Sequence, residues 1–166
     1  MAFVQSVCLI ALALLLLLAA WQDWRTMHIA DGISLGIIAA FVVWVAAGFV
    51  YGAFSLLDLA LALACAAGMF GVGTLAFAAG AMGGADVKLA TVVSLFAGPA
   101  LIFDFVAVTA VVGGLLAVAV LAGAPIGLVV ASTGDGTVRA RLRCSLPCGP
   151  AIAVGGLWVA LAPALT

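Results

Sequence analysis

The sequence has 166 residues, 69% of them hydrophobic and 7% charged, with a net charge of −1 and a mean hydropathy of +1.50. Such a composition excludes a water-soluble domain folded round one buried core. It fits an all-α, polytopic membrane protein whose first partner is the lipid bilayer, and nothing in it points to nucleic acid.

A helix rising ~1.5 Å per residue needs roughly 20 apolar residues to cross ~30 Å of hydrocarbon. Six segments meet or approach that length: Ala2–Ala20, Ile33–Val50, Leu56–Ala79, Val87–Gly98, Ala100–Ala122 and Ala151–Leu165. The first carries no preceding Lys or Arg and ends in Trp-Gln-Asp-Trp rather than a small-residue cleavage site, so it reads as a permanent span. The run from Val87 to Ala122 is too long for one ordinary crossing and is cut at Gly98-Pro99, where proline removes a backbone donor. A short fourth helix, a tight turn and a fifth helix are therefore expected.

The cations test this count. With six spans, Arg25, Lys88, Arg139, Arg141 and Arg143 all fall on or beside one face of the membrane. The positive-inside rule makes that face cytoplasmic and leaves both termini exterior, or periplasmic in a bacterial inner membrane. Trp21 and Trp24 suit the interfacial belt on that side. Residues 1–166 read as a single membrane domain, whose one sizeable polar stretch is the loop around "STGDGTVRARLRCSLPCG". Its arginines suit contact with anionic headgroups. Cys8 and Cys65 read as small apolar residues within helices. Cys144 and Cys148 form a lone C-x-x-x-C pair without the second pair a tetrahedral zinc site needs, so no metal is expected.

All six acidic residues are Asp. Asp31 suits a helix N-cap, Asp58 and Asp104 fall in first turns where a carboxylate faces the positive end of the helix dipole, and Asp135 lies in a loop. Asp23 and Asp86 differ, because both fall at cytoplasmic membrane boundaries, one just after the first helix and the other just before the fourth. Carboxylates at membrane depth are costly and make functional candidates. If a bundle brings the two together, like charge in a poorly solvated site makes them share one proton. One can then act as base on a water while the protonated partner polarises a scissile carbonyl. Helix caps or a proton relay are the other uses open to such residues. Gly83 and Gly84, ahead of Asp86, would let an extended peptide approach closely, although glycines also serve helix packing.

With these residues in view, the chain resembles the prepilin peptidases, bacterial intramembrane aspartyl proteases. "AMGGADVKLA" is similar to their G-x-G-D signature followed closely by Lys; "DWRTMHIADGIS" is similar to their first-aspartate segment; "LPCGPAIAVGG" is similar to the Pro-Tyr-Gly-x-Ala run that leads into their last helix. Ala85 stands where the signature has its second Gly, and Cys148 where Tyr is common. The resemblance implies catalytic roles for Asp23 and Asp86, with Gly83, Gly84, Ala85, Lys88 and Arg25 at or beside the site. Two uses fit Lys88: supporting Asp86, or snorkelling to the headgroups. Arg25 divides similarly between topology and site support. His28 reads as interfacial.

By the same resemblance the substrate is a prepilin, with a basic leader followed by a hydrophobic helix, cut at their junction without metal or organic cofactor. Longer members carry two C-x-x-C pairs and an N-methyltransferase activity; their absence aligns this sequence with the short peptidases of Flp, or tight-adherence, pili. Pilus assembly machinery is then a further partner. The alternatives are a noncatalytic membrane assembly component and a small proton-coupled transporter, the latter lacking the paired repeats and midplane carboxylates such proteins favour.

Overall fold

The structure is a computed structural model, described here for residues 2–26, 30–122 and 148–165. These residues form a helical bundle, without strands among them. Helix α1 spans Ala2–Thr26, α2 Asp31–Val50 and α3 Leu56–Ala78. The next helical run, Gly84–Leu121, is broken at Gly98 (φ 52°, ψ −167°). Its two arms are α4 (residues 84–97) and α5 (99–121), and α6 spans Cys148–Leu165.

Gly98 precedes Pro99, whose ring disfavours helical geometry in the residue before it, and the positive φ is open to glycine at little cost. The consequence is a sharp bend. A Cβ built on Gly155 would lie 3.0 Å from the Phe105 carbonyl oxygen, and one on the adjacent Gly156 would lie 3.0 Å from Val93 Cγ1. Val93 and Phe105 would stand about 18 Å apart on a straight helix. Both can meet adjacent residues of α6 only because the chain bends sharply between them.

The local signals that end the other helices are equally legible. At the end of α3, the N–H of Ala81 donates to Ala76 O and that of Gly80 to Phe77 O, closing a Schellman motif on Gly80 with φ 70°. At the start of α3, Ser55 and Asp58 form a reciprocal capping box: Asp58 N–H donates to Ser55 Oγ at 3.1 Å, and Ser55 N–H to Asp58 Oδ2 at 2.9 Å. The dipole role expected for Asp58 is thus joined by a direct cap. Asp104 lies on the second turn of α5 and is exposed.

Three boundaries differ from expectation. Helix α1 continues to Thr26, because nothing in Trp-Gln-Asp-Trp-Arg-Thr breaks a helix once hydropathy falls away, so Asp23 lies inside it. Helix α4 starts at Gly84, which places Asp86 in its first turn rather than ahead of it. Asp31 is the first residue of α2 and not its cap: Ala30 occupies the cap position without a side-chain bond, and the Asp31 carboxylate is engaged by Lys88. His28, Asp135, Cys144 and the three arginines at 139, 141 and 143 lie outside the described residues.

The core sits where α1, α4 and α6 meet, with Leu12, Leu16, Leu89, Val93 and Ile152 fully buried. α2 joins it through Ile37, and α5 through Phe105. The outer faces are equally oily, with Phe3, Leu35, Val42, Leu57, Phe103 and Leu115 among the exposed side chains. Helices apolar on both inner and outer faces belong in lipid. Three helices (Phe3–Arg25, Asp31–Val50 and Leu56–Ala78) and the α4–α5 run Gly84–Ala119 are long and apolar enough to cross a membrane, and Cys148–Ala162 is a shorter apolar helix.

The α5–α6 contact has no spare room at Gly155, whose Cβ would meet Thr109 Oγ1 and the Phe105 backbone. Gly155→Ala should therefore lower stability by about 1–3 kcal/mol, as overpacking does, seen as a reduced melting temperature in detergent.

Candidate active site

Five of the six aspartates are described, and the fold treats them differently. Asp31, Asp58 and Asp104 are exposed, whereas Asp23 is 6% and Asp86 9% exposed. Among the described residues these two are the buried charged side chains. Asp23 comes from the last turns of α1 and Asp86 from the first turn of α4, and each lies within electrostatic range of the other. The Cys148 thiol, at the start of α6, lies in the field of both.

Asp23 Oδ2 accepts a 2.8 Å hydrogen bond from the Gly149 N–H, in the first turn of α6. That amide belongs to the set a helix start leaves without intrahelical partners, and it carries the positive end of the dipole. Asp86 has a different neighbour. A Cβ on Gly83 would stand 2.9 Å from its Oδ2, so only glycine leaves that approach open.

The other expected site residues lie less close to the acids. Gly84 begins α4 and faces Phe77 at ordinary contact distance. Ala85 is half-buried against the apolar core. Lys88 Nζ donates to Asp31 Oδ1 at 2.9 Å, with side chains 57% and 80% exposed. Two positions past Asp86 on a helix, it projects from a different face and joins α4 to α2. The Arg25 guanidinium lies 4.7 Å from the centroid of the exposed Trp21 ring, a cation–π contact one turn along α1. The structure thus gathers Asp23, Asp86 and Gly83, and gives Lys88 and Arg25 partners outside the pair.

Two residues at the site went unassigned on sequence: Cys148 and Gly149. Both belong to the "LPCGPAI" segment, so the signal was present as a motif. Which acid they would meet was not, because 126 positions separate Gly149 from Asp23.

Long apolar helices packed into a bundle that buries two acids define a membrane-embedded helical protein with a candidate site at that pair. The model of the type IV leader peptidase family matches residues 10–118, about two thirds of the chain and the stretch holding both acids. The chain belongs to that family. Its members are aspartyl-type leader proteases acting on prepilins at a membrane, so membership implies protease activity and a prepilin substrate. No curated protein and no solved structure matches the chain.

An exposed ion pair contributes little to stability. Lys88→Gln and Asp31→Asn should each shift unfolding in detergent by less than about 1 kcal/mol; a larger loss would show that the pair locks α2 to α4.

Proposed function

We propose that this chain is an intramembrane aspartyl endopeptidase that removes the leader of Flp-type prepilins, with Asp23 and Asp86 as its catalytic pair. One carboxylate takes a proton from the attacking water. The other, protonated, donates to the scissile carbonyl oxygen as charge develops there, and the roles reverse as the amine leaves. The observation that carries this reading is the burial of these two acids together, from helices remote in sequence, while the other described aspartates face outward. Burying two carboxylates near one another is costly even with backbone amides to meet them, and function is the usual reason for it.

The reading includes a topology. The break at Gly98 supports six crossings, with α4 a short one sheltered by α2, α3 and α6. Arg25 and Lys88 lie at the bundle end that holds the acids, which the positive-inside rule makes cytoplasmic, with both termini periplasmic in a bacterial inner membrane. Water reaches a boundary site of this kind readily. A basic leader held in the cytoplasm and a hydrophobic helix held in the bilayer would bring their junction to the same level. Gly83 and Gly84 leave the approach to Asp86 open, and Lys88 and Arg25 serve the membrane face around it. The sequence holds no C-x-x-C pairs, so cleavage proceeds without N-methylation.

The test is cleavage of a Flp-type prepilin by the purified protein, followed by mobility shift. Asp23→Asn and Asp86→Asn should each lower the rate by at least about a hundredfold with the melting temperature kept. An Asn variant that cleaves normally would remove its residue from the mechanism. An inert wild-type protein that nonetheless binds pilus machinery would favour an assembly role.

Ala85→Gly probes the departure from the family signature. Because Ala85 packs against the core, the substitution should change the cleavage rate by less than about threefold while costing about 1 kcal/mol of helix stability; a larger rate gain would show that Ala85 constrains the loop.

A further inference from the structure

The α6 start does more to Asp23 than donate one hydrogen bond. A Cβ built on Gly149 would lie 2.6 Å from Asp23 Oδ2, 2.7 Å from its Cβ and 2.8 Å from its Cγ. All three nearest atoms belong to the Asp23 side chain, and all are closer than real Cβ contacts come. Gly149 does not have a positive φ, so conformational freedom is not the reason for glycine here. The reason is space. The carboxylate lies flat against the α6 backbone, and nothing larger than hydrogen fits between.

Contacts on the same helix show how specific this is. Gly155 and Gly156 are also crowded, but against Thr109, Phe105, Leu16 and Val93, the packing atoms of α5, α1 and α4. At Gly149 the three nearest atoms all belong to an acid. The next residue, Pro150, has no N–H to offer, so within this turn the Gly149 amide is the donor that meets the carboxylate. Residue 149 also lies beyond the stretch matched by the family model.

We infer that Gly149 is a positioning residue that fixes the rotamer of Asp23, clamping Oδ2 with its N–H and its bare Cα so that Oδ1 is left to face Asp86 and the substrate. This rests on the reading of Asp23 as catalytic. The clamp makes α6 part of the active site without any side chain from it touching substrate. Any side chain at 149 pushes the carboxylate off the α6 backbone, and misplacement by about 1 Å is worth on the order of a hundredfold in rate.

The experiment is a kinetic and thermal comparison of Gly149→Ala with Gly155→Ala and Asp23→Asn, using purified protein and prepilin. Gly149→Ala should lower kcat on the order of a hundredfold while KM stays within about twofold, since substrate contacts are untouched. Gly155→Ala should show the opposite pattern, a lowered melting temperature with normal kcat at a temperature where it is folded. Any melting shift caused by Gly149→Ala should vanish when the opposing side chain is removed in the Asp23→Gly background, a coupling that a double-mutant cycle reads directly. Normal kcat in Gly149→Ala beside an inactive Asp23→Asn would overturn the positioning role and leave the proposed function standing. An equal melting shift with and without the Asp23 side chain would overturn it too. Normal cleavage by Asp23→Asn would instead defeat the functional reading, and the thermal coupling would then decide the clamp by itself.

Discussion

The central constraint on this molecule is the cost of holding two carboxylates inside an apolar bundle. Each loses several kcal/mol of hydration on burial, and bringing them together adds mutual repulsion. Helix-forming and hydrophobic forces cannot offset that locally, because neither recognises a carboxylate. What compensates is geometry: an unpaired amide at the start of α6 meets Asp23, and the first turn of α4 puts the positive end of a dipole beneath Asp86. Three helix ends therefore have to converge at one place, the C-terminus of α1 and the N-termini of α4 and α6. The rest of the fold serves that convergence.

Glycine is what lets the helices come close enough. In a membrane no hydrophobic driving force pulls helices together, so association depends on tight van der Waals fit and small residues. The α6 helix carries Gly155 and Gly156 where α5, α1 and α4 press on it, and Gly149 where Asp23 does. The break at Gly98 then allows two consecutive helices to reach adjacent residues of α6. Without it, the arm bearing Asp86 would continue past the bundle, and Phe105 could not meet α6 beside Val93.

Charge is sorted by the same architecture. The polar groups that serve topology stay exposed at the rim: Lys88 with Asp31 and Arg25 over Trp21. Those pairings leave the interior to the two acids, with the Cys148 thiol in their field at the α6 start. Among the described residues neither carboxylate has a cationic partner, which keeps both available for the proton exchange that the proposed aspartyl mechanism needs.

Much of this was written into the order of residues. Hydropathy, capping and turn chemistry act over a few positions, so the helical membrane class, the break at Gly98-Pro99 and the singling out of Asp23 and Asp86 could be read from the chain. The helix ends at residues 23 and 86 were misjudged because apolar content, used to find spans, falls off before a helix stops. Asp31 has the local pattern of a cap for the same reason, and local pattern leaves Lys88 open between supporting Asp86 and snorkelling to the headgroups, since it does not show where a side chain on the next helix stands. Only the tertiary structure decided which acids are buried, that Lys88 serves Asp31, and that Gly149 lies against Asp23. Those outcomes depend on contacts between segments as far as 126 positions apart. No local propensity encodes them; they follow from how the helices fit once the bundle is closed.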